Sequence, residues 1–262
     1  MIFATDLDRT LIFSYKFLSE NLKEDSICVE YKDDKPLSYM SKHALNELNT
    51  LKNNSKVVVV PVTTRSILQF ERVKVFQDCE YAIVSNGAHI LHNGHLFKPW
   101  YEKISKELSI IQSEYDDILK ILDDVSEYFV SKPKIVDGAF YFMKLPDNSQ
   151  IIDKVLDYCE SALKGLNWNY TLQGLKLYVI PNVISKERAL QYLSSLLGIR
   201  DIVTAGDGKL DIGFLSVGGI RIIPNGSEVL GYLPNDFNYL EVPDGINGTY
   251  SLLKNVEKFC RV

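Results

Sequence analysis

The chain has little of what marks a secreted, membrane or nucleic-acid-binding protein. It carries 4 cysteines in 262 residues, at Cys28, Cys79, Cys159 and Cys260, with no CxxC pair and no metal-ligand spacing. A disulfide framework and a zinc knuckle are thereby excluded, and reduced thiols in a cytosolic protein are expected. Apolar runs are short. The run 57–62 is among the longest, whereas a bilayer-spanning helix needs about 20 residues. No basic stretch followed by an apolar one opens the chain, and Asp6 and Asp8 interrupt the first apolar run, so no signal peptide is expected. Positive charge is not in excess. With a net charge of −5 no basic field draws nucleic acid or an anionic membrane. Internal repeats and low-complexity linkers are also missing.

What is present is ordinary globular material, 46% hydrophobic and 24% charged, with enough length for one large domain or a core carrying an inserted one. Ile2-Phe3-Ala4 reads as a buried strand ending at polar residues. Residues 41–51 read as a helix with Ala44, Leu45, Leu48 and Leu51 along one side. Residues 57–62 (Val57-Val58-Val59-Val60-Pro61-Val62) read as a buried strand of parallel type, and Ala82-Ile83-Val84 as a third strand. Short apolar strands alternating with helices predict a doubly wound parallel sheet, an α/β Rossmann-like core. Ligands bind beyond the carboxyl ends of such strands.

Between residue 87 and about residue 180 the pattern changes. Helical spacing over 105–129, a strand over 139–145, a helix over 151–163 and a strand over 175–180 predict a separate α+β unit. A helix over 186–197 and a strand over 201–205 resume the first pattern. The expected organisation is a core of 1–86 and 181–262 with an inserted cap of 87–180. Residues 26–40 read as a surface hairpin.

Four places carry chemistry. Asp6-Leu7-Asp8-Arg9-Thr10 puts two carboxylates one residue apart at a strand end. One can attack a phosphoryl group while the other handles a proton, and together they can hold Mg²⁺. Thr63-Thr64-Arg65 follows the second strand, where a hydroxyl can donate to a phosphoryl oxygen. Lys186 stands at a helix start and can neutralise developing charge. Gly206-Asp207-Gly208-Lys209-Leu210-Asp211 is a glycine turn with two carboxylates, hard ligands that suit Mg²⁺. Each has an ordinary alternative when read alone: an Asx turn, a helix cap at Thr63, a solvated lysine and a polar turn.

In order and spacing the four motifs resemble the haloacid dehalogenase-like phosphohydrolase superfamily, over essentially the whole chain. Asn86-Gly87-Ala88 and the insertion between the second and third motifs are similar to the Cof-type and sucrose-phosphatase-like branch. The run 60–65 with the 26–40 hairpin also looks like a bacterial subgroup associated with tellurium-resistance and stress operons. The resemblance implies a Mg²⁺-dependent phosphatase of a small phosphorylated metabolite, such as a sugar phosphate, working as a monomer or small homo-oligomer. It implies Asp6 as nucleophile, forming an aspartyl-phosphate, and Asp8 as acid and base. Thr63, Thr64 and Lys186 would hold the phosphoryl group. Asp6, the backbone carbonyl of Asp8, Asp207 and Asp211 (directly or through water) would hold the metal. A phosphotransferase using the same intermediate, or a regulatory module that binds without turnover, would show the same motifs.

Two departures stand out. Arg9 and Thr64 occupy positions where members of this group commonly have glycine, and Arg9 is expected to face solvent. Trp100, Tyr101, Tyr141, Trp168, Tyr170 and Tyr178 of the cap are expected to pack in its core or at its junction rather than stack on substrate. His89, His92 and His95 lie around an Asn93-Gly94 hairpin and are expected at the surface, without a metal.

Overall fold

In the computed structural model, which describes residues 1–18 and 25–260, the apolar β-branched runs become parallel strands. Five strands form a sheet in the order Leu240–Val242, Ile220–Pro224, Ile202–Ala205, Ile2–Thr5, Val58–Pro61, every pairing parallel. Ile2–Thr5 lies between two neighbours and is buried throughout. Ile2 pairs with Ile202 and Val58, and Thr5 with Ala205 and Pro61. The carboxyl ends of three strands are thus level, which brings Asp6, Val62 and Gly206 to one edge of the sheet.

The third expected strand, Tyr81–Val84, is only partly of parallel type. It meets the sheet at a single parallel bridge between Val62 and Ile83, and its full ladder is antiparallel, to His89–His92. Proline explains the short parallel contact. Val62 N–H donates to Thr5 and Thr63 N–H to Ile83, so donors alternate sides and the donor that Pro61 lacks falls on the Tyr81–Val84 side.

Helices cover this sheet. Lys42–Lys52 begins at Ser41, whose hydroxyl accepts from Ala44 N–H. Its buried residues are Ala44, Glu47, Leu48 and Leu51. Leu45, expected on that face, is only half-buried, and Glu47 takes a place there because Lys254 of the Gly245–Cys260 helix meets its carboxylate at 2.7 Å. Phe3, Leu7, Phe76, Leu252 and Val256 complete one core with these residues.

The chain divides into two units, residues 1–97 with 185–262, and residues 98–184. Both divisions fall later than the positions 86/87 and 180/181 expected. The hairpin His89–His92/His95–Leu96 extends the Tyr81–Val84 ladder and therefore stays with the first unit.

The second unit is a four-stranded antiparallel sheet, in the order Trp168–Gln173, Lys176–Pro181, Phe140–Lys144, Lys134–Val136. Three helices accompany it, Lys98–Ile110, Glu114–Asp124 and Ser149–Ala162. The single helix expected over 105–129 is interrupted by a turn at 111–113. Of the apolar stripe expected there (Leu108, Ile111, Tyr115, Leu119, Leu122), Ile111, Tyr115 and Leu122 lie in one core with Val155, Cys159 and Trp168, with Leu108 half-buried against it, but Leu119 is exposed and Ile118 takes its place. Of the aromatics singled out from the sequence, Trp100, Tyr141, Trp168 and Tyr178 are buried, Tyr170 is half-buried and Tyr101 is exposed. Among the described residues, no helix is long and apolar enough to cross a membrane.

Leu48→Ala should cost about 2–5 kcal/mol of stability, and Leu45→Ala clearly less, as read by urea unfolding of the two variants side by side.

Candidate active site

The residues after the first strand close a tight loop. Asp6 N–H donates to the Ala205 carbonyl, and the Leu7 carbonyl accepts from the amides of Thr10, Leu11 and Ile12. Arg9 has φ +67°, a conformation that glycine adopts most easily. This accounts for glycine being common at that position and leaves the arginine in a left-handed backbone.

The loop buries Asp6 and leaves the Asp8 side chain 49% exposed. The Arg9 side chain, 48% exposed, does not simply face solvent. Its Nε lies 3.8 Å from Asp207 and its guanidinium over the Phe17 ring. Thr10, to which no role was assigned from sequence, is buried and donates to Asp207 Oδ1 at 3.3 Å.

Lys186 is no surface lysine. It is 2% exposed, and its Nζ donates to Asp6 Oδ1 at 2.5 Å and to Asp211 Oδ1 at 2.7 Å. Ser185 caps the Lys186–Leu197 helix by accepting from Arg188 N–H, so Lys186 occupies the first helical position and can reach inward. Gly87 supports this placement. It has φ +95°, and a Cβ there would lie 2.2 Å from the Ser185 carbonyl oxygen. The backbone after Val84 thus packs directly against the start of the lysine's helix.

The Gly206 to Asp211 segment is more than a polar turn. Asp211 Oδ2 accepts from the amides of Asp207 and Gly208, at 3.1 and 2.8 Å. A Cβ on Gly206 would meet Asp211 at 2.8 Å, so only glycine fits that close approach. The turn holds Asp207 buried, facing Asp6.

Asp6, Asp207 and Asp211 present carboxylate oxygens within 4.8 Å of one another. Burial pushes the Asp6 carboxyl up to about 7. Lys186 opposes the rise, and Asp211 and Asp8 add to it. Asp207 is raised well above the usual carboxylate range, again first by burial and then by Asp6 and Asp211. The Lys186 ammonium would lose affinity for its proton through burial alone, but Asp211 and Asp6 outweigh that and raise it. One ammonium cannot neutralise three buried carboxylates. Clustered hard oxygen donors with a deficit of positive charge fit a small divalent cation such as Mg²⁺. Among the described residues, none of the histidines joins this cluster. His89 and His92 are half-buried, and His92 stacks on Tyr81.

Thr63 is buried, and its hydroxyl accepts from Arg65 N–H at 3.2 Å. It does not cap the next helix, a role Ser66 fills with a capping box to Gln69. Thr64 is half-buried on the same turn. Arg65 makes a two-pronged pair with Asp8, Nε to Oδ2 at 2.7 Å and a terminal nitrogen to Oδ1 at 2.8 Å. No sequence motif pointed to this pair, since 57 positions separate its members.

The sequence profile of the family described as sucrose-6F-phosphate phosphohydrolase matches residues 1–228. The chain belongs to this family. It is therefore a phosphatase of the haloacid dehalogenase-like superfamily, in its sucrose-phosphatase-like branch. No curated protein sequence matches the chain. Among solved structures it is similar to the sucrose-phosphatase of Synechocystis sp. PCC6803, in complex with sucrose and phosphate, at 16% identity and TM-score 0.67, over 99% of this chain and 97% of that one. It is similar to the C-terminal domain of trehalose-6-phosphate phosphatase from C. albicans at 11% identity and TM-score 0.67, over 97% and 92% of the two chains. A sugar phosphatase of haloacid dehalogenase subclass IIB matches at 12% identity and TM-score 0.63, over 98% of both. At these identities the likeness is one of fold.

Gly87→Ala should add about 1–3 kcal/mol of backbone strain and press on the carbonyl before Lys186. A lowered melting temperature and a weakened response to added Mg²⁺ are expected together in a thermal-shift measurement.

Proposed function

We propose that this phosphatase removes the phosphate of a small phosphorylated metabolite, a sugar phosphate, through an aspartyl-phosphate on Asp6 and with Mg²⁺. The observation that carries the reading is Lys186 bound to both Asp6 and Asp211, with Asp207 alongside, at the carboxyl edge of the parallel sheet. Family membership and the sucrose and phosphate bound by a structural neighbour support the substrate class.

Asp6 attacks phosphorus as the bond to the leaving oxygen breaks, and Asp8 gives its proton to that oxygen. Water then attacks the aspartyl-phosphate and yields its proton to Asp8, which frees Asp6 and inorganic phosphate. Lys186 keeps Asp6 aimed and offsets charge on the transferring group. The Thr63 hydroxyl keeps its proton available to a phosphoryl oxygen, because it accepts rather than donates in its contact with Arg65. Thr64 borders the same position. Asp6, Asp207 and the Asp8 carbonyl would hold Mg²⁺, with Asp211 acting directly or through water. Bound there, the ion would screen the negative charge of nucleophile and phosphate from one another. Asp211 also has a local role, since both its oxygens are occupied by Lys186 and the loop amides. The enzyme would act in the cytosol, as a monomer or small homo-oligomer.

Asp6→Asn should reduce hydrolysis of a panel of sugar phosphates by about a thousandfold or more, the loss expected when a covalent nucleophile is removed. Activity that survives the change undiminished refutes the assignment. Saturating Mg²⁺ should stabilise the native protein by about 3 kcal/mol at a hundred times its dissociation constant, and Asp207→Asn should abolish most of that shift in a melting experiment.

A further inference from the structure

Glu30 is buried where a regular strand would not bury it. In the Ser26–Lys32 strand, Val29 and Glu30 are consecutive and both buried, although neighbours in a strand normally point to opposite faces. Pairing with Lys35–Ser41 is irregular on both sides of this residue, between Cys28 and Glu30 and again between Glu30 and Tyr31. Such bulges re-aim a side chain. The Glu30 backbone also bridges to Val73, which pins the hairpin to the segment that follows Arg65. Residues 26–40 therefore form a hairpin as expected, but one with an inward face.

The carboxylate of Glu30, on a residue 1% exposed, is fully engaged. It meets Arg65 at 2.9 Å and Arg72 at 3.2 Å and accepts from the Ser38 hydroxyl at 2.6 Å. Arg65 turns its other edge to Asp8 in the two-pronged pair already described. Charges alternate along the line Asp8, Arg65, Glu30, Arg72. A planar guanidinium gripped on two edges cannot rotate without breaking one of its pairs.

We propose that Glu30 is a positioning residue for the proton-transfer step: it fixes Arg65, and Arg65 fixes the orientation of the Asp8 carboxyl. This rests on the reading of Asp8 as acid and base. As the bond from phosphorus to the leaving oxygen breaks, the phosphoryl group goes to Asp6 and the Asp8 proton goes to that oxygen. An alkoxide leaving group depends on that proton, whereas a nitrophenolate, already a stable anion, hardly does. A misaligned Asp8 therefore slows alkyl phosphates selectively, while a general loosening of the site slows both kinds alike.

The test compares kcat/KM for glucose 6-phosphate and for para-nitrophenyl phosphate in the native enzyme, Glu30→Gln and Asp8→Asn. Glu30→Gln is expected to lose about tenfold to a hundredfold on the sugar phosphate and less than about threefold on the aryl phosphate, within the span of general acid catalysis. Asp8→Asn should show the same bias more strongly. Equal losses on both substrates in Glu30→Gln, with the bias present in Asp8→Asn, overturn the positioning role alone. Absence of bias in Asp8→Asn overturns the acid reading itself. If Glu30→Gln does not fold, Ser38→Ala, which removes the hydroxyl that donates to Glu30 and accepts from Arg65 and so loosens the same Glu30–Arg65 link, carries the comparison. A bias of at least about threefold in the same direction supports the proposal, and none overturns it.

Discussion

The buried ammonium of Lys186 is the contact on which the site depends. It ties Asp6, at the end of the first strand, to Asp211, in the turn after Ile202–Ala205, and it comes from a residue 180 positions from Asp6. Three backbone arrangements place it. Ser185 caps the helix, Gly87 lets another chain segment lie against that cap, and Gly206 lets the Asp207 turn close on Asp211. A buried ammonium without its carboxylates would be strongly unfavourable, and so would the carboxylates without it. Fold and site are therefore stabilised by the same contacts.

One lysine among buried carboxylates leaves a deficit of positive charge. The raised proton affinities of Asp6 and Asp207 express that deficit, and a divalent cation relieves the same repulsion that protonation relieves. Arg9 contributes from the rim, held near Asp207 and over Phe17. Its left-handed backbone shows that an arginine can occupy a place where glycine is common, at a cost in strain of about 1 kcal/mol. The Asp8 side chain is not one of the three clustered carboxylates. It pairs with Arg65, whose own proton is held more tightly than usual because the Asp8 and Glu30 carboxylates outweigh its burial.

Three of the five core strands were legible because they are short, continuous apolar runs, whereas Ile220–Pro224 and Leu240–Val242 were not foreseen; the second unit was legible in part because its helical stripes repeat at nearly the expected spacing. The edges of these elements were less legible. A proline on one side of the Val58–Pro61 strand shortened a ladder that hydrophobicity alone extended. Glu47 replaced Leu45 on a buried helix face because a lysine from the far end of the chain came to meet it. The strands Trp168–Gln173 and Lys134–Val136 were missed because the first interleaves polar with apolar residues and the second is three residues long, and nearly all of their residues are half-buried or exposed, so no apolar run announces them.

By itself the sequence determined which groups could do chemistry. Two carboxylates at a strand end, a hydroxyl, a lysine and a glycine-rich acidic turn stand in a recognisable order, and local spacing suffices to place each at the end of an element. Tertiary structure alone decided how those groups are charged and aimed. Burial of Lys186 between Asp6 and Asp211, and the link from Asp8 through Arg65 to Glu30, join residues distant along the chain. Electrostatic energies depend on separation in space and on exclusion of water, and neither is set by position in sequence.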